Sequence, residues 1–433
     1  MHTLAQLRNG DLAGTTILKL SEDLTHFPEE IFALADTLEV LDLSRNRLSE
    51  LPPDLGRLRK LRILFCSENP FTVLPEVLAD LPALDIVGFK ANKIETVPQR
   101  ALNPNIRWLI LTDNRIASLP GEIGKCHRMQ KLMLAGNRLS ELPQELSNCR
   151  HLALLRISAN RLTALPQWLL SMPRLAWLAF SGNLLGTGTH GTSVPHIAWP
   201  ELDVHHILGE GASGVIYKAV WLNGCYRKDV AVKLFKGAVT SDGLPQDEMD
   251  TFMAAGTHPG LVGLIGQVIQ HPDGKNGLVM ELISPRFCNL GLPPTFATCT
   301  RDVFKEGTTL SVAQVLKVAR TIASVAQQLH GRGIMHGDLY AHNTLIDDEA
   351  TTLLGDLGAA SFYDIADAPT AYALERIEIC ALGYLLDDLL SLCHTPGPHT
   401  ALVELEKMRD ACLLPEVGKR PGFSALIAAL GGL

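Results

Sequence analysis

The sequence predicts two domains of different fold class: an α/β solenoid of short parallel strands, followed by a mixed α+β domain. Three observations predict this. A unit of 22 to 23 residues recurs up to Asn183, this regularity stops at Gly186, and strand-like runs rich in glycine begin after Leu202. With 433 residues, 46% of them hydrophobic and 19% charged, the chain has the composition of an ordinary globular protein with two or three domains.

Charge and hydropathy exclude several classes of protein. The net charge is -8 and no run of five basic residues occurs, which argues against a nucleic-acid-binding surface. The first ten residues hold no apolar core of signal-peptide length, and no apolar stretch is long enough to span a bilayer. We therefore expect a soluble, cytoplasmic protein without a membrane span.

The cysteines do not suggest a metal site or a disulfide framework. Nine occur singly along the chain, and no two form a Cys-x-x-Cys pair. Cys126 and Cys149 stand where other repeat units carry Leu, so we expect buried free thiols that act as small hydrophobic side chains. A reducing compartment fits this usage.

The first half of the chain is a repeat array. Asn recurs at one position of each unit, with Asp23 in that place in the earliest unit: residues 46, 69, 92, 114, 137, 160 and 183. Each unit offers one short strand with inward leucines, and it cannot bury these leucines alone. Stacking about eight units gives a continuous core. Residues 1–185 resemble the leucine-rich repeat family in both period and LxxLxLxxN core.

The concave face of such a solenoid displays the residues between the strand leucines. Many of these are apolar, which is unusual for a solvated surface and typical of a contact site. We hypothesise that this face binds a protein substrate or regulator, or the second half of the chain. The alternative is a set of scattered surface hydrophobics. The proposed contact residues are Val40, Phe65, Trp108, Ile110, Met133 and Trp177.

The junction, residues 186–202, has no periodicity and is rich in Gly, Thr and Pro, so it is predicted to be a linker or cap. The second domain is expected over residues 203–433.

The second half contains several motifs suited to binding phosphate, of which the first are a glycine-rich turn and a strand lysine. Glycines 209, 211 and 214 lie between two predicted strands, where backbone N–H groups can approach phosphate oxygens. A strand follows them, which argues against a dinucleotide-binding turn. Lys233 lies in an alternating strand, and Glu248 follows in a segment, residues 246–255, that can be helical.

The polar run His336–Asn343 follows an apolar helical pattern and precedes Asp356. Asp338, Asn343 and Asp356 could together hold a metal-bound phosphate and a hydroxyl group. Taken alone, the run also fits an ordinary loop, because Asp and Asn hydrogen-bond to their own backbone.

In this order, the motifs resemble those of eukaryotic-type protein kinases: the glycine turn, Val-Ala-Val-Lys, His-Gly-Asp-Leu-x-x-x-Asn and Asp-Leu-Gly. The resemblance covers residues 203–433 and implies an N-lobe over 203–283 and a C-lobe over 284–433. The expected fold is an α/β leucine-rich repeat solenoid followed by an α+β bilobal protein-kinase-like domain.

The resemblance also implies roles for individual residues, with ATP and Mg²⁺ as cofactors. Lys233 would contact the α- and β-phosphates with Glu248 as its partner, and Asp338 would accept the proton of the substrate hydroxyl. Asn343 and Asp356 would be the magnesium ligands. The remaining cofactor-binding positions are the glycine loop, the apolar residues around adenine and the hinge: Gly209, Gly211, Gly214, Leu208, Ile216, Ala231, Met280, Glu281 and Ile283.

Some positions depart from the family pattern. Gly337 replaces the Arg that usually precedes the catalytic Asp, so a phosphorylated activation loop would lack its usual receptor. Tyr340 stands where Ser/Thr kinases usually place a Lys. Residues 373–375, Ala-Leu-Glu, look like a variant of the Ala-Pro-Glu that closes the activation segment, and a central helix is expected from Glu378 to Cys393. Activity should then be constitutive or controlled by another contact.

The predicted function is an ATP-dependent, Ser/Thr-directed signalling kinase whose repeats serve protein recognition or autoregulation. One alternative is a nucleotide-binding pseudokinase whose repeats recruit a partner. A bacterial-type metabolite kinase, which shares the catalytic loop, is a further option.

Overall fold

The computed structural model describes residues 2–185, 194–211, 213–236, 239–240, 242–394 and 400–433. The chain divides into two compact units, Met1–Arg174 and Leu175–Leu433. The last strand of the repeat pattern therefore belongs to the second unit.

The first unit is built from short parallel strands that follow one short helix, α1 (Leu4–Arg8). Equivalent residues of successive repeats pair with each other: Val40 with Ile63, and Ile63 with Ile86. The side chain of the central residue of each strand is buried, as the repeat pattern predicts. The strands are β1 (Ile17–Lys19), β2 (Val40–Asp42), β3 (Ile63–Phe65), β4 (Ile86–Gly88), β5 (Trp108–Ile110), β6 (Lys131–Met133) and β7 (Leu154–Arg156).

The recurring asparagines hold the turns that follow these strands. Asn69 Oδ1 accepts a hydrogen bond from the N–H of Leu48 at 2.8 Å. Its Nδ2 donates to the carbonyls of Leu43 and Cys66 at 3.0 and 3.2 Å. Asn69 is buried, so its carboxamide satisfies backbone groups that water cannot reach. The predicted scaffold role is confirmed by such bonds at Asn46, Asn69, Asn92, Asn114, Asn137 and Asn160.

Short 3₁₀ helices connect the strands, and proline often precedes them because its fixed φ suits an extended residue at the start of a helix. Pro75 and Pro143 are two such residues. Cys126 and Cys149 are buried free thiols next to these connections, as expected. The helices are Glu29–Leu34, Leu55–Arg57, Glu76–Asp80, Gln99–Ala101, Gly121–Lys125, Gln144–Asn148 and Leu169–Ser171.

The predicted contact residues of the first unit are only half-buried, namely Val40, Phe65, Trp108, Ile110 and Met133. Neighbouring side chains on the same face cover part of these residues. Trp108 donates from Nε1 to the sulfur of Met133 at 3.4 Å, and Lys131 Nζ lies 4.2 Å from the centroid of the Trp108 ring. Protein binding on this face stays a prediction.

The second unit begins with β8 (Trp177–Ala179) and continues into a small lobe with a six-stranded sheet of order β10-β11-β12-β14-β13-β9. Its neighbours are antiparallel except β9, which runs parallel to β13. One helix, α2 (Pro245–Ala255), follows β12. The strands are β9 (His196–Ala198), β10 (Leu202–Glu210), β11 (Gly214–Asn223), β12 (Tyr226–Phe235), β13 (Leu264–Ile269) and β14 (Gly277–Glu281).

A mostly helical lobe follows, with α3 (Val312–His330), α4 (Ala368–Ser391), α5 (Thr400–Cys412) and α6 (Phe423–Gly431). Ser311 and Gln314 form a capping box at the start of α3. Of the helices in the described ranges, none is long and apolar enough to cross a membrane. Short strands and 3₁₀ turns complete the lobe: β15 (Cys288–Asn289), β16 (Ile334–Met335), β17 (Thr344–Ile346), β18 (Thr352–Leu354), β19 (Ser361–Phe362), and the 3₁₀ helices Trp199–Glu201, Ala341–Asn343 and Val417–Lys419.

Helix α4 begins ten residues earlier than the prediction of a helix from Glu378. Asp367 caps it by accepting from the N–H of Thr370 at 3.3 Å, and Pro369 lies in its first turn. An Asp at the N-cap and a Pro in the first turn are recognised signals for a helix start. The Ala-Leu-Glu at residues 373–375 therefore lies within the helix.

Candidate active site

The site begins with an ion pair inside the small lobe. Lys233 lies on β12, between β11 and β14, and its ammonium contacts the carboxylate of Glu248 on α2. The two residues are 7% and 2% exposed. Burial raises the pKa of the Glu248 carboxyl, an effect that the Lys233 ammonium opposes. The pair fixes the lysine side chain in a place where little water screens its charge.

The predicted glycine loop connects β10 and β11. The N–H of Gly211 donates to the carbonyl of Gly214 at 2.9 Å, which closes the turn. A Cβ atom at Gly214 would lie 2.5 Å from the carbonyl oxygen of Leu234, so only glycine fits there.

The predicted catalytic loop connects β16 and β17, and its polar side chains bond to one another. Asn343 donates from Nδ2 to the carbonyl of Asp338 at 2.9 Å and to its Oδ2 at 2.7 Å. His336 Nδ1 accepts from the N–H of Asp338 at 3.2 Å, which leaves Nε2 to donate to the carbonyl of Gly355 at 3.2 Å. Asp338 is half-buried and held at both its backbone and its carboxylate.

A buried carboxylate of α4 supports this loop, and it was missed by the motif search. Glu378 accepts hydrogen bonds from the N–H groups of His336 and Gly337 at 3.2 and 2.7 Å, and bonds His330 Nε2 at 2.8 Å. Burial alone would raise the pKa of Glu378, but the hydrogen bond and charge of His330, the charge of His336 and the Gly337 N–H hold it below its ordinary value. The sequence feature that could have indicated Glu378 is an acidic residue within an otherwise apolar helical pattern.

A cavity of about 260 Å³ collects three of the predicted polar residues in one place. Its lining includes Lys233, Asn343 and Asp356, together with the predicted apolar residues Ile216, Met280 and Ile283. A neighbouring cavity of about 110 Å³ is lined by Gly211, Gly214, Lys233 and Asp356, among others. Lys233 and Asp356 therefore lie on both cavities.

Five predicted binding residues, Leu208, Gly209, Ala231, Glu248 and Glu281, do not line either cavity as far as the described residues define them. Leu208 is 47% exposed, whereas Ala231 is buried in β12. At Gly209, no atom lies within 4 Å of the position that a Cβ would take. The Glu281 carboxylate is exposed and pairs with Lys228 at 2.6 Å, and its N–H donates to the carbonyl of Gly263.

Further lining residues were not predicted to belong to the site, although His342 lies within the polar run His336–Asn343: Phe252, Val262, Asn289, His342, Leu345 and Gly355. Hydrogen bonds to Asp302 hold His342, one of these residues, in place. Its N–H and Nδ1 bond to Asp302 at 2.8 and 2.7 Å. Asp302 lies 40 residues earlier in the chain, so only the fold brings it to this loop.

The donor set fits a hard cation bound through oxygen. Asn343 and Asp356 line the same cavity, and because Asn343 Nδ2 donates to Asp338, its amide oxygen is the atom that would coordinate the metal. No cluster of three or more His, Cys, Asp or Glu side chains suited to a metal occurs within the described ranges. Two protein ligands are the usual number for Mg²⁺ bound together with a phosphate.

Trp177 does not lie on an open surface. It is 1% exposed, its Nε1 donates to the carbonyl of Leu339 at 3.0 Å, and its ring stacks on Tyr340 with the centroids 4.2 Å apart. Trp177 is therefore not available to a separate partner. Of the two alternatives predicted for this face, its contacts agree with the second half of the chain, because the catalytic loop covers it. Local sequence patterns could not show this contact, since Tyr340 is 163 residues away in sequence.

Comparison with known families agrees with this arrangement. A model described as protein tyrosine and serine/threonine kinase matches residues 202–380. Models described as leucine-rich repeat match residues 37–58, 104–162 and 127–185. The chain joins leucine-rich repeats to a protein kinase domain. The predicted fold class, a repeat solenoid followed by a kinase-like domain, is confirmed.

Each of the following relatives matches only part of the chain. A leucine-rich repeat and calponin homology domain-containing protein of Mus musculus is 33% identical over 99 residues, which are 23% of this chain and 14% of that protein. A probable serine/threonine-protein kinase of Dictyostelium discoideum is 28% identical over 168 residues, 38% of this chain and 9% of that protein. The angiopoietin-1 receptor of Danio rerio is 22% identical over 283 residues, 55% and 25% of the two chains. The chain thus spans a quarter or less of these curated relatives.

Proposed function

We propose that the chain is an active, ATP-dependent protein kinase directed to serine or threonine. The observation that carries the proposal is the convergence of Lys233, Asn343 and Asp356 on one cavity, with Asp338 bonded directly to Asn343. Phosphoryl transfer asks mainly for positioning and charge stabilisation, and these side chains supply both.

Each residue has a distinct role in the proposed reaction. Lys233, fixed by Glu248, holds the α- and β-phosphates of ATP. Asp338 orients the substrate hydroxyl and accepts its proton, because its carboxylate is held by Asn343 and is still half-exposed. Asn343 and Asp356 would hold Mg²⁺, which neutralises phosphate charge when bound.

The preference for Ser or Thr is proposed from relatives that are described as probable serine/threonine-protein kinases of Dictyostelium discoideum. We also propose that the repeat face of Val40, Phe65, Trp108, Ile110 and Met133 binds a protein substrate or regulator, and that the protein acts in cytoplasmic signalling. The half-buried apolar side chains of this face support the first of these proposals.

The test is transfer of labelled γ-phosphate from ATP by the full chain in the presence of Mg²⁺. We expect incorporation into the chain itself or into a general protein substrate, and acid hydrolysis should release phosphoserine or phosphothreonine. Phosphotyrosine alone would contradict the stated preference. Absence of transfer to every protein tested would contradict the activity.

A second candidate is a nucleotide-binding pseudokinase whose repeats recruit a partner. The observation that favours it is Tyr340, which is 4% exposed and stacked on Trp177, so that it does not present a cation to a phosphate. This candidate predicts that ATP raises the melting temperature of the protein while no phosphate is transferred. Stabilisation together with transfer favours the active kinase.

A further inference from the structure

The strand β8 touches both sides of the proposed catalytic acid. On the carboxyl side of Asp338, Trp177 donates from Nε1 to the carbonyl of Leu339 at 3.0 Å and stacks on Tyr340, with the ring planes 5° apart. On the amino side, the carbonyl of Leu178 lies so close to Gly337 that a Cβ there would be 2.6 Å from its oxygen.

The same segment is fixed to two other elements of the lobe. The second face of the Trp177 ring stacks on Tyr384 of α4, with the centroids 5.2 Å apart and the planes inclined by 20°. Just after the strand, the N–H of Phe180 donates to Ser361 Oγ on β19 at 2.9 Å, and both groups are buried. Trp177 therefore fills the space between the long helix and the catalytic loop, while Phe180 is tied to the segment that follows Asp356.

We propose that Trp177 is a positioning residue for phosphoryl transfer, and that β8 is an integral part of the kinase site. The proposal rests on the function proposed above. Asp338 lies between two residues that β8 contacts, and the indole N–H holds the peptide carbonyl directly after it. Trp177 acts on the catalytic acid through Leu339 and Tyr340 and does not touch the reacting atoms.

This role accounts for two departures from the family pattern. Gly337 has a φ of +73°, and a Cβ would meet the carbonyls of Leu178 and Ala359 at 2.6 and 2.7 Å. An arginine at this position would displace the strand. Tyr340 supplies an aromatic face for Trp177 where the family usually has Lys. Gly337 thus leaves room for β8, and Tyr340 stacks on its Trp177.

The contacts of Trp177 also predict which kinetic parameter changes. Leu339, Tyr340 and Tyr384 are absent from the described lining of both cavities, which Lys233 and Asp356 share. Loss of Trp177 should therefore leave the KM for ATP unchanged and lower kcat. A displacement of the catalytic group by about 1 Å can cost roughly 10²-fold in rate.

The test compares Trp177→Ala and Trp177→Phe with the wild type in the full chain. We expect kcat to fall by about 10²-fold in Trp177→Ala with the KM for ATP retained. Trp177→Phe keeps an aromatic ring for both stacks but loses the N–H donor to Leu339, so its kcat should lie between those of Trp177→Ala and the wild type.

The matched control is Trp221→Ala with Trp221→Phe. Trp221 lies on β11 in the same unit and donates from Nε1 to Glu201 at 3.1 Å. Its replacement therefore also removes an indole hydrogen bond, but away from the catalytic loop. The proposal would be overturned if Trp177→Ala kept the wild-type kcat. It would also be overturned if kcat fell in proportion to the melting temperature, and by the same proportion, in the Trp177 and Trp221 variants.

A readout independent of activity separates this proposal from the proposed function. Hydrogen exchange followed by mass spectrometry should show faster exchange of residues 336–343 in Trp177→Ala and unchanged exchange in Trp221→Ala. If the wild type transfers no phosphate but this difference is found, the proposed activity fails and the role of β8 in holding the loop stands. If exchange of the loop is unchanged by Trp177→Ala, the role of β8 fails whatever the activity.

Discussion

The ammonium of Lys233 contacts the carboxylate of Glu248, and both side chains are almost completely buried. Asp356 is close enough that its charge also acts on Glu248. Glu248 therefore holds Lys233 in place, and Asp356 lines the same cavity as Lys233. An isolated strand lysine is usually solvated, so this burial with an acid is typical of a functional cation.

Replacement of Lys233 by Met should reduce both activity and stability. The rate should fall by about 10²- to 10³-fold because one charge donor to the phosphates is lost. The uncompensated Glu248 should cost about 3 to 5 kcal/mol in the free energy of unfolding. Steady-state kinetics and urea denaturation measure the two effects.

Lys218→Met is the matched control for this prediction. Lys218 forms a partly exposed pair with Asp229 at 3.3 Å on the same sheet. Its loss should cost at most about 1 kcal/mol and leave the rate unchanged. Equal effects of the two substitutions would contradict a special role for Lys233.

Gly337→Ala should be far more disruptive than Gly224→Ala. Both glycines have positive φ, +73° and +59°, so each alanine should cost about 1 to 2 kcal/mol for its backbone conformation. At Gly224 no atom lies within 4 Å of the added Cβ, whereas at Gly337 two carbonyl oxygens lie within 2.7 Å. Overpacking should add about 1 to 3 kcal/mol at Gly337. Urea denaturation of the two variants measures the difference, and equal losses would contradict the close approach of β8.

The stability supplied by Glu378 should disappear in acid. Its pKa is lower in the folded chain than its ordinary value of 4.5, so the folded state takes up its proton at lower pH than the unfolded state does. Its contribution is therefore fully present above that value and is lost as the pH falls through the folded pKa. Urea denaturation should show a difference in the free energy of unfolding between the wild type and Glu378→Gln. This difference should be largest near about pH 7 and smaller below about pH 4. A difference that does not change with pH would contradict this account.

Thiol labelling should separate exposed from buried cysteines. Cys225 and Cys288 are exposed, and should react first with a maleimide under native conditions. Burial raises the pKa of Cys126 to about 11 and those of Cys149 and Cys412 to about 12, so few of these thiols ionise near neutral pH. Mass spectrometry of digested protein identifies the labelled sites, and all nine should react in urea. Rapid native labelling of Cys149 would contradict its position in the repeat core.

The sequence predicted those features that are repeated or tied to a short motif. The asparagine at a fixed position of each repeat predicted the buried carboxamides, because one residue type in one turn has one geometry. The spacing of Lys233 and Glu248 predicted their contact, since β12 and α2 are neighbours both in sequence and in space. The order of the motifs likewise brought Asn343 and Asp356 to one cavity.

Contacts between distant segments were not predictable in this way. Asp302 bonds His342, Glu378 bonds Gly337, and Trp177 bonds Leu339 across 40, 41 and 162 residues. Nothing in a local pattern distinguishes Trp177 from Trp108, which has the same place in its repeat. The difference arises only because a tyrosine of the catalytic loop stacks on one of them.

The most direct test of the proposed kinase activity is the rate of γ-phosphate transfer by Asp338→Asn, measured beside the wild type and Asp348→Asn. Asp348 is an exposed acid ten residues further on, outside the hydrogen bonds of the catalytic loop, and should have no effect on the rate. Asp338→Asn should lower the rate by about 10²- to 10⁴-fold, because an amide cannot accept the proton of the substrate hydroxyl. Equal transfer by wild type and Asp338→Asn would contradict the account.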